Sequence, residues 1–502
     1  MAIGGGILFG ALGTWLTPPW LLGVGAAAGL CVLALGYLVA VLSSRTAADF
    51  LKDALREGFL RPVLILAAIL AAIALVSSPV VPVKDLFRSI TRLPRAGSLD
   101  VHETIAPKAQ EQQVSLDIRP AELKTLHIVS DKDVKISLMQ YGIIKQAQQG
   151  SIEITAGEPY DWSKATSENN LFYGDSTDSS VMSIRNLSDD PAHLQFTGLV
   201  TEEFPAVQTV PQTAAALVGL VLLFLLFKAV APKIAAVALA TAREVTVQPL
   251  FQIVAVVGAF ALLVVIYIPG NTFGEDVKML KSSDVTLIKI LSVIIALWAA
   301  SESVSGELEG RTAMTVLSKP IGRRQFLIGK FVGIVLPVAL LFLILGSVFL
   351  LTVSYKVVYD ARESAKLEPN WIECYQAMIT SVPVLVLAFF EAVVLSALSV
   401  ALSTRLLALA GLIVCCSVYV LGHLVPMLVV SNATDPYGFI NFTGQLFAAV
   451  LPVLDHFESE AAVATDTAIP LVYLAWAGAY CLLYSTVAML VGLTLFEDRD
   501  LA

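Results

Sequence analysis

Charged residues are scarce in this chain of 502 residues. Asp, Glu, Lys and Arg make up 15% of it and hydrophobic residues 57%, whereas soluble domains carry about 25% charged residues. Basic residues are not in excess, since 32 Lys and Arg stand against 41 Asp and Glu, for a formal net charge of -9. The composition excludes a water-soluble fold and argues against a nucleic-acid partner. It predicts a polytopic α-helical membrane protein.

The sequence also lacks the motifs of several enzyme classes. In place of a phosphate-binding G-x-x-x-x-G-K-[ST] loop, the nearest stretch runs from Gly322 to Gly329 and Lys330, with six residues between its glycines and Phe331 where the hydroxyl belongs. The five histidines form no HExxH pair and the five cysteines no CxxC pair. We therefore expect no catalytic, metal-binding or cofactor-binding residue on this chain. ATP and Mg²⁺ would be bound by a separate subunit.

Long apolar runs, by contrast, are frequent. A helix needs about 20 apolar residues to cross the hydrocarbon core of a bilayer. Nine stretches meet this requirement: 20–42, 62–81, 213–231, 250–268, 285–304, 329–351, 377–403, 406–430 and 469–495. A shorter Gly-rich segment, 3–15, is compatible with a re-entrant or interfacial helix or with a further span. The sequence thus predicts about nine transmembrane helices, or ten if the segment 3–15 also spans the bilayer.

Basic residues indicate how these helices are oriented. Alternate short loops and the C-terminal end hold one set of them: Arg45, Lys52, Arg56, Arg61, Lys228, Lys233, Arg243, Arg311, Lys319, Arg323, Arg324, Lys330, Arg405 and Arg499. Because Lys and Arg in short loops resist translocation, we place this set and the C-terminus in the cytoplasm. The segment 431–467, on the opposite side, has no basic residue. The expected location is the lipid bilayer of the cell (inner) membrane.

The interval 82–211 differs from every other loop in its length and polarity. Apolar and polar residues alternate in short runs, with the apolar positions at Val114, Leu116 and Ile118, at Val134, Ile136 and Leu138, and at Leu194 and Phe196. This period of two is typical of strands with one buried face. The sequence predicts an extracytoplasmic β-sandwich-like domain at 82–211. It is inserted between an N-terminal transmembrane hairpin, 1–81, and a third transmembrane helix, 212–233.

The loop 301–330, on the cytoplasmic side, is too long and patterned for a simple turn. Met314, Leu317 and Ile321 recur at helical spacing. Acidic residues precede them and basic residues follow, which is the arrangement that the dipole of a short helix favours. The pattern predicts a surface helix with charges of both signs, suited to docking another protein. The alternative is an ordinary solvated loop.

Four short motifs in and after this loop resemble a known family. They are Glu309-Gly310-Arg311-Thr312, Val316-Leu317-Ser318-Lys319-Pro320-Ile321, Arg323-Arg324-Gln325-Phe326 and Gly329-Lys330. In these motifs the chain resembles the permease subunits of type-2 ABC transporters. The similar branch includes permeases linked to multicopper-enzyme maturation and to gliding motility. The resemblance covers roughly the second half of the chain.

The resemblance implies an architecture, a function and partners. It implies a six-helix permease core at 234–502, preceded by an elbow helix at 234–248, and an ATPase-coupling loop at 301–330. The residues that it places in coupling are Glu307, Glu309, Arg311, Thr312, Lys319, Pro320, Arg323, Arg324 and Lys330. The implied function is that of a permease subunit, most often of an exporter, that couples ATP hydrolysis to substrate translocation. The implied partners are an ABC ATPase subunit and a second permease chain, in a homodimer or heterodimer.

Glu391 is a second candidate site, because it lies near the middle of the predicted span 377–403. A carboxylate there costs about 2.5 to 3.5 kcal/mol on insertion scales, so it is a functional candidate by default. No Lys or Arg is expected at the same depth in a neighbouring span. We therefore expect a protonated carboxyl, hydrogen-bonded to a residue such as Ser417 or Tyr419. Its role is either a structural tie or a part in the translocation path or in proton coupling.

The long interval 82–211 supports a different class of function. A membrane-anchored binding or assembly scaffold would use this domain to recruit an extracytoplasmic partner, while the ATPase powers a conformational signal rather than the passage of a solute. Deleting the domain discriminates between the two hypotheses.

Overall fold

A computed structural model describes residues 3–43, 45–56, 58–107, 112–116, 122–139, 152–163, 181–268, 275–306, 322–431, 442, 446, 451–465 and 467–497. The chain divides into two compact units. One unit consists of Met1–Val81 and Thr209–Ala502, and is called the membrane unit here. The other is Pro82–Gln208.

The membrane unit begins with three helices. Helix α1 is Ile3–Ser43, α2 is Arg45–Arg56 and α3 is Leu60–Ser77. The short segment 3–15 is therefore continuous with the first predicted span, and Pro18 and Pro19 lie inside the helix. Proline has no N–H to donate to the carbonyl four residues earlier, so Pro19 leaves the carbonyl of Trp15 without its helical donor. The Ser354 hydroxyl donates to that carbonyl at 2.7 Å, which ties α1 to a later helix.

The second unit is β-rich, as the alternating pattern predicts. In the described part of this unit, helix α4, Val83–Arg92, precedes eight strands. They are β1 Gly97–Ile105, β2 Gln112–Ser115, β3 Leu123–Ser130, β4 Val134–Met139, β5 Ile152–Ile154, β6 Tyr160–Ser163, β7 Val181–Asn186 and β8 Ala192–Val200. Two antiparallel sheets of four strands result, in the orders β1-β8-β3-β6 and β2-β7-β4-β5. Buried residues of both sheets, among them Phe196 and Ile136, form one hydrophobic cluster.

Three helices follow this unit in the chain. Helix α5 is Thr209–Val230, α6 is Pro232–Val247 and α7 is Pro249–Val265. Gln248 is extended, with φ -64° and ψ 141°, because the ring of a following proline disfavours the helical region for the residue before it. The axes of α6 and α7 consequently differ by 62°. Helix α6 lies where the resemblance places the elbow helix.

The remaining helices complete the membrane unit. Helix α8, Asp276–Ala300, continues into a π-helical turn, Ser301–Gly306. Helix α9, Arg323–Glu363, has 41 residues and is about 60 Å long at 1.5 Å per residue. Then come α10 Trp371–Ile379, α11 Ser381–Ser403, α12 Ala408–Ser431, α13 Glu460–Thr465 and α14 Leu471–Glu497. We call the end where α8 stops and α9 starts the loop side, and the other end the far side.

The structure confirms a multi-pass helical membrane protein, but with a different count of spans from the prediction. Among the described residues, seven helices are long and apolar enough to cross a bilayer, or eight if the bent pair α6 and α7 is one span. The predicted span 250–268 corresponds to α7, which has 17 residues and is bent against α6. The predicted span 406–430 corresponds to α12, whose apolar stretch in the described region is Ala408–Leu424.

Two glycines let α9 approach α6 closely. A Cβ at Gly329 would lie 2.7 Å from the Cβ of Val237, and one at Gly333 would lie 2.7 Å from the carbonyl oxygen of Ala238. Gly329 and Gly333 are four residues apart, the spacing that brings two helix backbones together in membranes. The first two turns of α9, from Arg323, fall within the predicted coupling loop 301–330 and are helical rather than loop, and this part of α9 is packed directly on α6.

Candidate functional site

The predicted coupling loop is described at its two ends. Six of its predicted residues, Glu307, Glu309, Arg311, Thr312, Lys319 and Pro320, lie outside the described residues. The described parts are the π-helical turn Ser301–Gly306 before the loop and the residues from Gly322 onward after it. Each of these ends makes specific contacts with other helices of the membrane unit.

The first end is held by Ser305, which is buried. Its hydroxyl lies 3.2 Å from the carbonyl oxygen of Ser403 and 3.1 Å from that of Leu406, and donates to them. Ser403 is the last residue of α11, and the final carbonyls of a helix have no partner within the helix. Ser305 therefore joins the start of the loop to the end of α11 and to the turn that leads into α12.

The second end is held by Arg323, the first residue of α9. Its Nη1 donates to the carbonyl oxygens of Glu497, at 2.9 Å, and Phe496, at 3.4 Å. The guanidinium also lies 5.8 Å from the centre of the Phe496 ring. Arg405, from the turn between α11 and α12, donates from Nε to the carbonyl of Leu495 at 2.8 Å. Two arginines thus satisfy the last carbonyls of α14, which the helix itself leaves unpaired and at its negative end.

The three described basic residues of the coupling prediction have different surroundings. Arg323 is half-buried in its contacts with the end of α14. Lys330 is buried, with its Nζ 5.6 Å from the centre of the Phe326 ring. Arg324 is exposed and lies 3.5 Å from the Glu497 carboxylate, an ion pair of a kind that contributes little in water. Arg324 is therefore the one of these three that can offer its charge to another protein.

Glu391 lies between two basic side chains in the interior of the membrane unit. Its Oε2 is 3.3 Å from Nζ of Lys289 on α8, and its Oε1 is 3.3 Å from Nε2 of His423 on α12. The Glu391 side chain is fully buried, and those of Lys289 and His423 are 14% and 23% exposed. Lys289, Glu391 and His423 are called the membrane triad below.

The membrane triad corrects the expected surroundings of Glu391. The predicted spans placed no Lys or Arg at the depth of Glu391, yet the Lys289 amine lies 3.3 Å from the Glu391 carboxyl. The predicted span began at 285, which placed Lys289 near an end, whereas α8 begins at Asp276 and has Lys289 at its middle. Ser417 instead donates to the Ile413 carbonyl within its own helix, at 2.9 Å. The sequence did contain a signal for this contact, because Lys289 lies within the otherwise apolar run 285–304.

Further buried polar contacts line the same helix, α8. Nζ of Lys281 donates to Oγ1 of Thr380 at 3.2 Å. The fully buried Asp284 accepts from Oγ1 of Thr352 at 3.4 Å. Polar groups inside a membrane unit face its interior because lipid cannot satisfy them. The buried face of α8 therefore carries the polar side chains of Lys281 and Asp284 among the apolar ones of Leu280, Val285 and Ile288.

A small cavity reaches the membrane triad from the far side. It has a volume of about 30 Å³ and is lined by Lys289, Thr286, Ala388, Glu458 and Glu460, among others. Burial raises the pKa of Glu458, and its hydrogen bond with Asp455 and the charges of Glu460 and Asp455 raise this pKa further, while Lys289 lowers it. The mouth of the cavity is therefore acidic and its inner wall carries the amine of Lys289. Among the described residues, no group of three His, Cys, Asp or Glu could hold a metal ion.

Comparison with known proteins agrees with the helical architecture. Residues 213–501, more than half of the chain, match the family model described as ABC-2 family transporter protein. Over 225 residues the chain is 30% identical to a probable ABC transporter permease protein NosY of Pseudomonas aeruginosa, an alignment that covers 42% of this chain and 79% of that protein. A probable ABC transporter permease protein NosY of Stutzerimonas stutzeri is 48% identical over 59 residues, 12% of this chain and 21% of the relative.

These matches confirm the resemblance to type-2 ABC permeases. The matched region contains α6 to α14, both described ends of the coupling loop and the membrane triad. The β-rich unit Pro82–Gln208 lies before it. The chain belongs to the ABC-2 transporter family and is a multi-pass membrane permease subunit of an ABC transporter.

Proposed function

We propose that this permease couples ATP hydrolysis on a separate ABC ATPase subunit to the export of a substrate, together with a second permease chain. Membership in the family implies the ATPase partner. The loop side then faces the cytoplasm of the cell, as does the C-terminus, and the β-rich unit lies outside. The direction of transport and the second chain rest on the resemblance to type-2 exporters.

The attachment of the coupling loop at both ends is the observation that carries this proposal. Ser305 joins the loop to α11 and α12, and Arg323 joins it to the end of α14. An ATPase that pushes on residues 307–321 therefore acts on the loop-side ends of five helices: α8, α9, α11, α12 and α14. Displacements of packed helices are a usual route from a local push to a change of access.

The strength of these contacts makes the loop-side ends move together. A hydrogen bond contributes about 0.5 to 1.5 kcal/mol, and one from a charged donor about 1.5 to 3 kcal/mol. Arg323 and Arg405 are charged donors to successive carbonyls of one helix end. Close packing through Gly333 adds α6 to the same group. A push on the loop is thus transmitted to the spans rather than absorbed by local bending.

Co-purification from the native membrane tests the proposal. The unmodified chain, extracted in mild detergent, is expected to bring down an ABC ATPase with measurable ATP hydrolysis. Arg311→Glu/Lys319→Glu, in the coupling loop, is expected to lose the ATPase while remaining in the membrane. Arg362→Glu/Lys366→Glu is the matched control, because it also reverses two basic charges and both side chains are exposed at the far side. Equal recovery of the ATPase by both double variants contradicts the assignment of the loop.

A second candidate function is that of an assembly scaffold. It is favoured by the β-rich unit, whose eight strands lie outside the matched family region. Replacing 97–200 by a short flexible linker separates the two functions. Export that survives the replacement makes this unit an accessory of the transporter, whereas loss of an extracytoplasmic partner without a transported solute supports the scaffold.

A further inference from the structure

The hydrogen-bond partners of His423 determine how many protons the membrane triad holds. Nδ1 of His423 lies 3.0 Å from the carbonyl oxygen of Tyr419. A carbonyl oxygen only accepts, so Nδ1 carries a hydrogen, and in a neutral imidazole the other nitrogen then has a lone pair. That other nitrogen, Nε2, lies 3.3 Å from Oε1 of Glu391, and both atoms are buried without a hydrogen-bond partner among the described residues.

Two acceptors at this distance repel one another unless a proton lies between them. With an ionised Glu391 and a neutral His423, two buried acceptor atoms would lie 3.3 Å apart, and neither has a hydrogen-bond donor among the described residues. One proton resolves the conflict. It is held either by Nε2, as an imidazolium beside a carboxylate, or by Oε1, as a carboxylic acid that donates to the imidazole. Lys289, on the other carboxyl oxygen, already supplies a positive charge.

The other titratable groups near the membrane triad come from four elements. Helix α8 contributes Asp284 and Lys281, which lie nearer the far side than Lys289. Helix α12 contributes Tyr419 and Cys415, helix α14 contributes Tyr480, Cys481 and Tyr484, and the segment after residue 450 contributes Asp455, His456, Glu458 and Glu460. Glu458 and Glu460 of this set line the cavity, where their carboxyl groups favour the entry of a cation.

We propose that Lys289, Glu391 and His423 form a proton-binding site, which the permease loads and empties through the cavity beside Glu458. This inference goes beyond the proposed function, because it assigns a second ligand, the proton, to the transport cycle. The cavity volume of about 30 Å³ exceeds the roughly 10 to 15 Å³ that one water needs. Water in the cavity and the Glu458 carboxyl would carry protons from the far side to Lys289, which lines the cavity and whose Nζ lies 3.3 Å from Oε2 of Glu391.

Loss of the proton changes the contacts between helices. The membrane triad joins α8, α11 and α12 when the shared proton is present. Without it, the repulsion between Oε1 of Glu391 and Nε2 of His423 pushes α12 away from α11, while the ion pair with Lys289 keeps α11 on α8. Proton binding thus favours the arrangement described here, and proton release favours one in which α12 has separated.

Infrared and NMR titration of the full-length protein in lipid bilayers tests the site directly. Infrared difference spectra detect the carbonyl stretch of a protonated carboxyl, and ¹⁵N-histidine NMR detects an imidazolium. Over the pH range in which the protein stays folded, one of these two signals is expected to change with pH in the unmodified protein and to be absent in Glu391→Gln and in His423→Gln. Asp284→Asn is the matched control, because it removes another fully buried carboxyl from the same unit. It is expected to leave the signal in place.

Charge changes around the site give the titration a predicted direction. Lys289→Met removes a positive charge and is expected to raise the midpoint by at least about one pH unit, a tenfold gain in proton affinity. Glu458→Gln, at an exposed position, removes a negative charge and is expected to lower the midpoint without harming the fold. A site with no titrating signal in this range, or a signal that Glu391→Gln and His423→Gln both leave unchanged, overturns the proposal. Neither result depends on the ATPase. Failure of the proton-binding proposal can therefore be distinguished from failure of the coupling-loop assignment.

Discussion

Replacing Lys289 by methionine is expected to destabilise the membrane unit strongly. The Glu391 carboxyl is fully buried and lies 3.3 Å from the Lys289 amine. Removing one partner of a buried ion pair costs about 3 to 5 kcal/mol, because the remaining charge has no compensation. His423 still contacts the other carboxyl oxygen, so we expect a loss near the lower limit, about 3 kcal/mol.

A double-mutant cycle isolates the pair from the rest of the unit. In Lys289→Met/Glu391→Leu the buried carboxyl is absent, so the double variant is expected to be more stable than Lys289→Met alone. Lys278→Met is the matched control on the same helix, since Lys278 pairs with Glu275 at 3.1 Å in a more exposed place. Exposed pairs contribute about 0.2 to 1 kcal/mol, and the control should lose no more than that.

Reversible unfolding in mixed micelles, followed by the loss of helical circular dichroism, measures four variants: Lys289→Met, Glu391→Leu, the double variant and Lys278→Met. If positions 289 and 391 are coupled, the double variant should lose much less unfolding free energy than the sum of the losses of the two single variants. If Lys289→Met and Lys278→Met lose the same small stability, or if the two substitutions at 289 and 391 are additive, the membrane triad is not a buried ionic contact and the reasoning fails.

Three further predictions concern other contacts. Ser354→Ala should cost about 1 kcal/mol in the same unfolding assay, because it leaves the half-buried carbonyl of Trp15 in α1 without a donor; a change below the error of the assay contradicts this. Gly333→Val should destabilise the packing of α9 on α6 and reduce ATPase stimulation, whereas Gly219→Val, where a Cβ meets nothing within 4 Å, should change neither. The raised pKa of Glu458 makes the folded state bind its proton more tightly than the unfolded state, so stability falls as pH rises above the ordinary value of 4.5. Glu458→Gln should flatten that part of the stability profile, and an unchanged slope would refute the assignment.

Composition and hydropathy were sufficient for the class of the protein. Apolar runs of helical length and one long polar interval with period-two alternation are local signals, and they predicted the helical membrane unit and the β-rich unit. The coupling motifs around Arg311 and Lys319 are also local in sequence, so the family could be identified from them. The count of spans was less predictable, because the break at Gln248 and its 62° bend depend on one residue before a proline.

The contacts of the candidate site were not predictable in the same way. Arg323 binds carbonyls more than 170 residues later in the chain, and nothing local to position 323 names that partner. Lys289 was visible as a lysine within an apolar run, but its pairing with Glu391 depends on where α8 begins. The start at Asp276 is set by polar residues that a hydropathy threshold excludes. The depth of a side chain in the bilayer is counted from the ends of its helix, and hydropathy alone placed the start of α8 nine residues too late.

The most direct test of the central claim is site-specific photo-cross-linking in intact native membranes. A photoreactive residue at position 317, in the predicted coupling loop, should cross-link to an ABC ATPase. One at position 367, where Leu367 is 94% exposed at the far side, should not. Capture of an ATPase from position 317 alone is the result that the account predicts. Capture from neither position, or equally from both, would contradict the assignment of this loop as the contact through which ATP hydrolysis drives the permease.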